Sequence, residues 1–345
     1  MRFATYLVPA ALISVILGCG RDAPPAPAVL IHPPAPPPQW AAVIGEYAEG
    51  ADTLSLLEDG GGLFLLFWEG EGWGGERLGL APLNDTTFEV GALETEALVR
   101  RGPDDRARSL NLGDGEFRRI HLGAEEGETF RITPLRPPAE LREEALAAAP
   151  PEEEGDFLPS DLVDLLELDP TLALDIRYAT TDNFMGEVFY SSPRAFLQRP
   201  AAEAVVRAHD WLKERGFGLL IFDGYRPWYV TKMFWDATPE AMRWFVANPA
   251  RGSRHNRGCA VDLTLVDLAS GDPVLMPGGY DEISPRSHVD YPGGTSRQRW
   301  YRDLLREAME AHGFAVYPGE WWHFDYQDWR RYRIENQTFE EMGVG

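Results

Sequence analysis

Two short segments bring together side chains that can do hydrolytic chemistry. Ser253-Arg254-His255-Asn256-Arg257-Gly258-Cys259-Ala260-Val261-Asp262 offers an imidazole and a carboxylate with a glycine between them, and Glu320-Trp321-Trp322-His323 offers a second such pair. Imidazole and carboxylate are ligand types of catalytic zinc, which commonly takes three protein ligands and keeps one position open. An unliganded Glu beside such a site can take a proton from water. A third segment, Asp223-Gly224-Tyr225-Arg226-Pro227, follows an apolar run. Its Arg226 is either an oxyanion stabiliser or a plain surface charge at a strand end.

The positioning elements follow from hydrophobic periodicity. Residues 260–266 alternate, with Val261, Leu263 and Leu265 on one face and Asp262 and Thr264 on the other. An Asp flanked in this way is costly to bury unless it is paired or metal-bound. The same alternation puts Cys259 with Val261, as a small core residue rather than a nucleophile. Gly258 allows a sharp turn. Strict alternation along 320–323 would send Glu320 and His323 to opposite faces, so their cooperation requires a bend, which Pro318-Gly319 permits. Residues 201–215 and 296–312 carry helical spacing closed by Gly216 and Gly313, and 218–222, 314–317 and 322–326 read as strands. The C-terminal block is therefore α+β, a mixed or antiparallel sheet flanked by helices.

Upstream, residues 41–136 hold short apolar runs between Asp, Gly and Asn turns, which predicts a small all-β unit, a sheet or barrel. No catalytic cluster stands out there. The aromatic run 67–73 is a packed hairpin or a sugar- or partner-binding surface. Residues 137–157, rich in Pro, Ala and Glu, read as a linker with one or two helical turns. Residues 19–40 are Pro-rich and read as an extended tether.

Taken together, the ordered motifs resemble a known family. The pattern SxHxxGxAxD followed by ExWH, with DIRYATTDNFMG (175–186), LLIFDGYRPW (219–228), GGYDEISPRSH (278–288) and GEWWHFDY (319–326), is similar to the D-alanyl-D-alanine dipeptidases, the VanX-like zinc peptidases of cell-wall peptides. The resemblance covers roughly residues 160–335 and implies a metallopeptidase fold of the D-Ala-D-Ala/hedgehog-like type over 158–345. It implies one Zn²⁺ held by His255, Asp262 and His323, Glu320 as general base, and Arg226 at the developing oxyanion with Asp223 orienting it. Asp281 and Tyr178 match positions near the substrate's ammonium; Ser253 and Tyr190 match positions near its carboxylate. The implied reaction is hydrolysis of D-Ala-D-Ala to two D-alanines by zinc-activated water. Two alternatives stay open: a D,D-carboxypeptidase or endopeptidase on longer wall peptides, and a non-catalytic wall-binding lipoprotein. Mn²⁺ or Co²⁺ suits the same ligands.

The chain has 345 residues and a formal net charge of −23. That excess of negative charge opposes binding to nucleic acid and anionic lipid. Arg2, an apolar run over 6–17 and Ile16-Leu17-Gly18-Cys19 resemble a lipoprotein signal, with 1–18 removed and Cys19 acylated; a plain secretory signal is the alternative. The expected address is extracytoplasmic, on the cell membrane or the periplasmic face of an outer membrane, with a role in wall-peptide turnover or salvage. Gly20 after Cys19 leans the reading to the outer membrane. With only two Cys, one of them lipidated, no disulfide is expected.

Overall fold

The computed structural model describes residues 32–69, 74–122 and 127–344. The expected signal segment 1–18, Cys19, tether residues 20–31 and Trp73 of the aromatic run lie outside the described residues.

A short helix α1 (Pro38–Ala41) leads into β1 (Gly45–Glu49), β2 (Asp52–Asp59), β3 (Gly62–Phe67), β4 (Arg77–Pro82), β5 (Thr87–Val90), β6 (Thr95–Arg101), β7 (Ala107–Leu112) and β8 (Gly115–Arg119). These strands pair antiparallel in chain order, and β8 returns to β1 through Tyr47 and Arg119 to close a barrel. Alternation selects the interior. Leu78 and Leu80, Ala97 and Val99, and Leu54 and Leu56 point inward with Tyr47, Phe88 and Phe117, while the intervening residues of β4 and β6 face solvent. Among the described residues, closure leaves this unit without an end strand. Of the two forms expected for this block, sheet or barrel, the chain adopts the barrel.

The rest of the chain forms α2 (Pro138–Ala147), β9 (Leu162–Asp164), α3 (Leu165–Leu168), β10 (Ala173–Leu174), β11 (Phe196–Gln198), α4 (Arg199–Lys213), β12 (Phe217–Asp223), α5 (Trp228–Ala237), β13 (Ala260–Asp267), α6 (Ser296–Glu310), β14 (Phe314–Tyr317) and β15 (Glu320–Tyr326). Its main sheet has the order β10-β12-β13-β15-β14. The β10–β12 pair is parallel and the others are antiparallel. Leu219, Ile221, Val261, Leu263, Leu265 and Phe324 turn one face of this sheet into the core, where α4 and α6 pack. Ala201, Ala204 and Ala208 keep the α4 face narrow enough for close approach. The opposite face, which carries Asp262 and Phe222, is free to hold polar chemistry.

Two segments sit differently from their sequence reading. Residues 137–157 are not a free linker. Helix α2 buries Leu141 and Ala145, one turn apart, against α5 and joins the main core. Glu153 then accepts hydrogen bonds from Arg257 and from the backbone of Ile334 (2.7 Å). Residues 129–135, grouped with the barrel by sequence, instead lie along the second unit: Ile132 N donates to Phe184 O and Leu135 N to Ala237 O, both at 2.8 Å.

The barrel and the α+β unit are joined by polar contacts at the start of α6. Glu58 of β2 accepts from Ser296 N (2.8 Å), adding to the Thr295–Gln298 capping box. Arg299 donates to Asp59 (2.8 Å) and to the carbonyl of Glu58 (2.9 Å). The docking of α2 has a direct check. Leu141→Ala should cost about 2–5 kcal/mol in denaturant unfolding of the α+β unit, whereas a residue in a solvated linker would give no measurable change.

Candidate active site

The sheet brings the two motif segments face to face. In the β13–β15 ladder Asp262 is the direct partner of His323, so a carboxylate and an imidazole meet as cross-strand neighbours. His255 opens the short 3₁₀ turn before β13. Gly258 closes that turn at φ +64°, where a Cβ would lie 2.4 Å from Leu162 Cδ2. This is the sharp turn that its position in the motif suggests. It folds His255 back over the strand.

The hydrogen bonds fix which nitrogen of each ring faces inward. His255 Nδ1 lies 2.8 Å from the carbonyl of Gly224, which can only accept, so its Nε2 carries the lone pair. His323 Nε2 lies 2.9 Å from Asp325 Oδ1, so its Nδ1 is the free one. Asp325 is in turn braced by Arg254 Nε at 3.3 Å. The three inward atoms, His255 Nε2, His323 Nδ1 and Asp262 Oδ1, are separated by 3.1, 3.1 and 3.3 Å. An ion bonded tetrahedrally at about 2.0–2.1 Å spaces its ligands by about 3.3 Å, so this buried triad fits a divalent metal. A carboxylate or carbonyl behind each imidazole is the usual support for metal-ligating histidines.

The electrostatics point the same way. Burial alone would lower the His323 imidazole, yet the Asp262 and Asp325 carboxylates raise it to about 10. Burial alone would raise Asp262, yet His255 and His323 hold it well below the usual carboxylate range. The triad therefore demands positive charge at its centre, from a proton or from a cation.

Glu320 reaches the same side through a break in the ladder. Val316 pairs with Phe324, but the next residue, Tyr317, pairs with Glu320. This bulge provides the bend that the sequence requires. Glu320 Oε2 lies 3.7 Å from His323 Nδ1. Burial, opposed by His323, pushes its carboxyl up to about 7, in the range suited to a general base.

These groups line a cleft of about 660 Å³ together with Tyr178, Arg226, Ser253 and Asp281. Arg226 donates through Nε (2.9 Å) and Nη2 (2.8 Å) to Asp223 Oδ2. Its guanidinium lies 5.0 Å from the ring centres of both Tyr178 and Phe234. Neither Asp223 bond uses Nη1. Tyr178 donates to Asp281 Oδ2 (2.7 Å). The Ser253 hydroxyl accepts from His255 N (3.2 Å).

Tyr190, expected near the substrate's carboxylate, is placed otherwise, whereas Asp223, expected to orient Arg226, does contact it. Asp223 and Tyr190 are buried and do not line the cleft. Tyr190 donates to Asp223 Oδ1 (2.7 Å) and Asp223 grips Arg226. They reach the cleft only through the guanidinium that Asp223 holds. Cys259 is buried, and burial pushes its thiol upward, as suits a core residue. His121, His288 and His312 do not line the cleft.

Sequence reasoning missed three participants. Asp325 carried a usable signal, since it lies two residues beyond His323 in one strand and so shares its face. Tyr280, whose hydroxyl donates to Asp262 Oδ2 (3.1 Å), and the Gly224 carbonyl carried none, because both arrive from loops. At Gly224 a Cβ would stand 2.7 Å from the carbonyl oxygen of Phe196, so only glycine fits there.

Comparison with known proteins bears on the same block. The family model described as D-ala-D-ala dipeptidase matches residues 159–343. The D-alanyl-D-alanine dipeptidase of Escherichia coli (strain K12) is 36% identical over 166 residues, 48% of this chain and 84% of that protein. Its Streptomyces coelicolor counterpart is 36% identical over 188 residues, 49% of this chain and 91% of that one. The enzyme of the same name from Enterococcus faecium is 34% identical over 175 residues, 45% and 85% of the two chains. With its matched segment spanning the whole candidate cleft, this chain belongs to the D-ala-D-ala dipeptidase family and is a peptidase.

Proposed function

We propose that this protein is a zinc peptidase that hydrolyses D-alanyl-D-alanine to two D-alanines, tethered outside the cytoplasm through a lipid on Cys19 and serving wall-peptide turnover or salvage. The observation that carries the chemistry is the convergence of three lone-pair donors beside Glu320 and Arg226 in one buried cleft. The membrane address rests on the sequence around Cys19 alone.

Zinc held by His255, Asp262 and His323 would supply Lewis acidity, making water more acidic and a peptide carbonyl more electrophilic. The protein's own groups do the rest. Glu320, ionised, takes the proton of the attacking water and passes it to the nitrogen of the departing D-alanine. Arg226, its guanidinium locked by Asp223 and packed beside the Tyr178 and Phe234 rings, meets the negative charge growing on the carbonyl oxygen. The positioning of that charge is settled before substrate arrives, which keeps reorganisation small. Burial, reinforced by Asp262, pushes the Asp281 carboxyl up to about 8. A substrate ammonium docking there restores its ionised form, and Tyr178 leaves Oδ1 free to receive it. The Ser253 hydroxyl, which lines the same cleft, is the donor assigned to the substrate's terminal carboxylate.

The reading is tested by assaying zinc-loaded protein on D-Ala-D-Ala and on its N-acetylated form. Release of D-alanine from the free dipeptide alone is expected, since Asp281 needs a charged amine; release only from the acetylated peptide would overturn the assignment. Glu320→Gln should lower kcat by about 10²–10⁴-fold while metal analysis still finds one equivalent of zinc; an unchanged kcat would remove Glu320 from the mechanism. Metal uptake should also be linked to pH. His323 is protonated below about 10 without a cation, and a ligand must lose that proton. Between roughly pH 6 and 8 the zinc affinity should therefore rise by about tenfold per pH unit, measured by chelator competition, with about one proton released per zinc.

A further inference from the structure

The loop 277–288 faces two ways. Toward the cleft it presents Tyr280, bonded to the metal-site carboxylate of Asp262 and stacked on Phe222 at 4.5 Å, and Asp281, held by Tyr178. Asp281 sits at φ +55°, a left-handed conformation that a non-glycine residue keeps only when its surroundings impose it.

What imposes it lies on the far side of the loop. Glu282 is buried and gathers the loop around its carboxylate. It accepts from Gly279 N (2.9 Å), from the Ser284 hydroxyl, and from both Nε and Nη2 of Arg286 (2.9 Å each). Its carbonyl accepts from the Ser287 hydroxyl. Gly278 is pressed against the same arginine, so closely that a Cβ would stand 2.9 Å from Arg286 Cβ. The outer end of Arg286 reaches the barrel: Nη1 lies 3.7 Å from Glu46 Oε2 on β1, and both side chains are buried. An arginine held between two buried carboxylates has its direction fixed by charge as well as by packing.

We propose that Glu46 is a positioning residue for the active site: through Arg286 and Glu282 it fixes the loop that presents Asp281 and Tyr280 to the cleft. The barrel then does more than space the peptidase from its tether. It supplies one anchor of the wall that receives the substrate's ammonium end. This rests on the reading above that Asp281 meets that ammonium. The family match begins at residue 159, so the anchor comes from a part of the chain outside the matched segment.

The test compares two variants at the same junction in the full, zinc-loaded protein. Glu46→Ala removes the anchor, but Arg286 keeps its two bonds to Glu282, so the fold should survive; Glu46→Gln serves if it does not. Asp59→Ala removes a barrel contact to Arg299 on α6, away from the loop, and controls for a loosened junction. Glu46→Ala should raise KM for D-Ala-D-Ala roughly tenfold with kcat within about twofold, and amide exchange over 278–288 should accelerate. Asp59→Ala should change neither. Unchanged KM and exchange in Glu46→Ala, or equal rises in both variants, would overturn the proposal. If the wild-type protein does not cleave the dipeptide, the substrate reading fails by itself, and the exchange comparison alone then decides whether Glu46 holds the loop.

Discussion

Three lone pairs aimed at one point, with barely three ångströms between them, cannot be held together without positive charge in their midst. That constraint organises the rest of the cleft. Each ring must be kept from rotating its lone pair away, so Gly224 and Asp325 hold the outer nitrogens. The surroundings add to the demand. Asp223, Asp281, Glu320 and Asp325 crowd round the triad, with Arg226 and Arg254 as the facing guanidinium groups. A buried region so rich in carboxylate is costly when empty.

Much of this was legible in the sequence, for identifiable reasons. The alternation through Asp262 and Thr264 specifies which face of β13 is polar, and the helices ending at Gly216 and Gly313 follow from ordinary spacing and termination. The two motif segments reveal their ligands because imidazole and carboxylate are rarely buried without a task. Contacts set by three-dimensional approach were not legible. The bulge that turns Glu320 toward His323 depends on the β14–β15 register, which proline and glycine permit without specifying. Tyr190 looked like a binding residue because a tyrosine in a motif has two uses, and only the position of Asp223 decides between them. Helix α2 buries only Leu141 and Ala145 of its ten residues. Its docking depends on α5, which lies far along the chain, and nothing local announces that.

The barrel illustrates the same limit at larger scale. Its strands are evident from turn residues and alternation, but closure depends on β8 meeting β1 across the length of the unit. Several charged groups join it to the peptidase. Glu58 and Asp59 engage the first turn of α6, and Glu46 engages the cleft loop. Charge-assisted hydrogen bonds of this kind add geometric specificity as well as energy.

Cys259 has a consequence for the chemistry the molecule can withstand. Oxidants attack thiolate, and here the thiol is enclosed in the core and disfavoured from ionising. The triad that could hold a metal contains nitrogen and oxygen donors and no sulfur. A thiolate-ligated centre would be open to sulfenic acid formation and loss of its ion under peroxide stress. An ion held by His255, Asp262 and His323 would have no thiolate among its ligands for such reagents to oxidise.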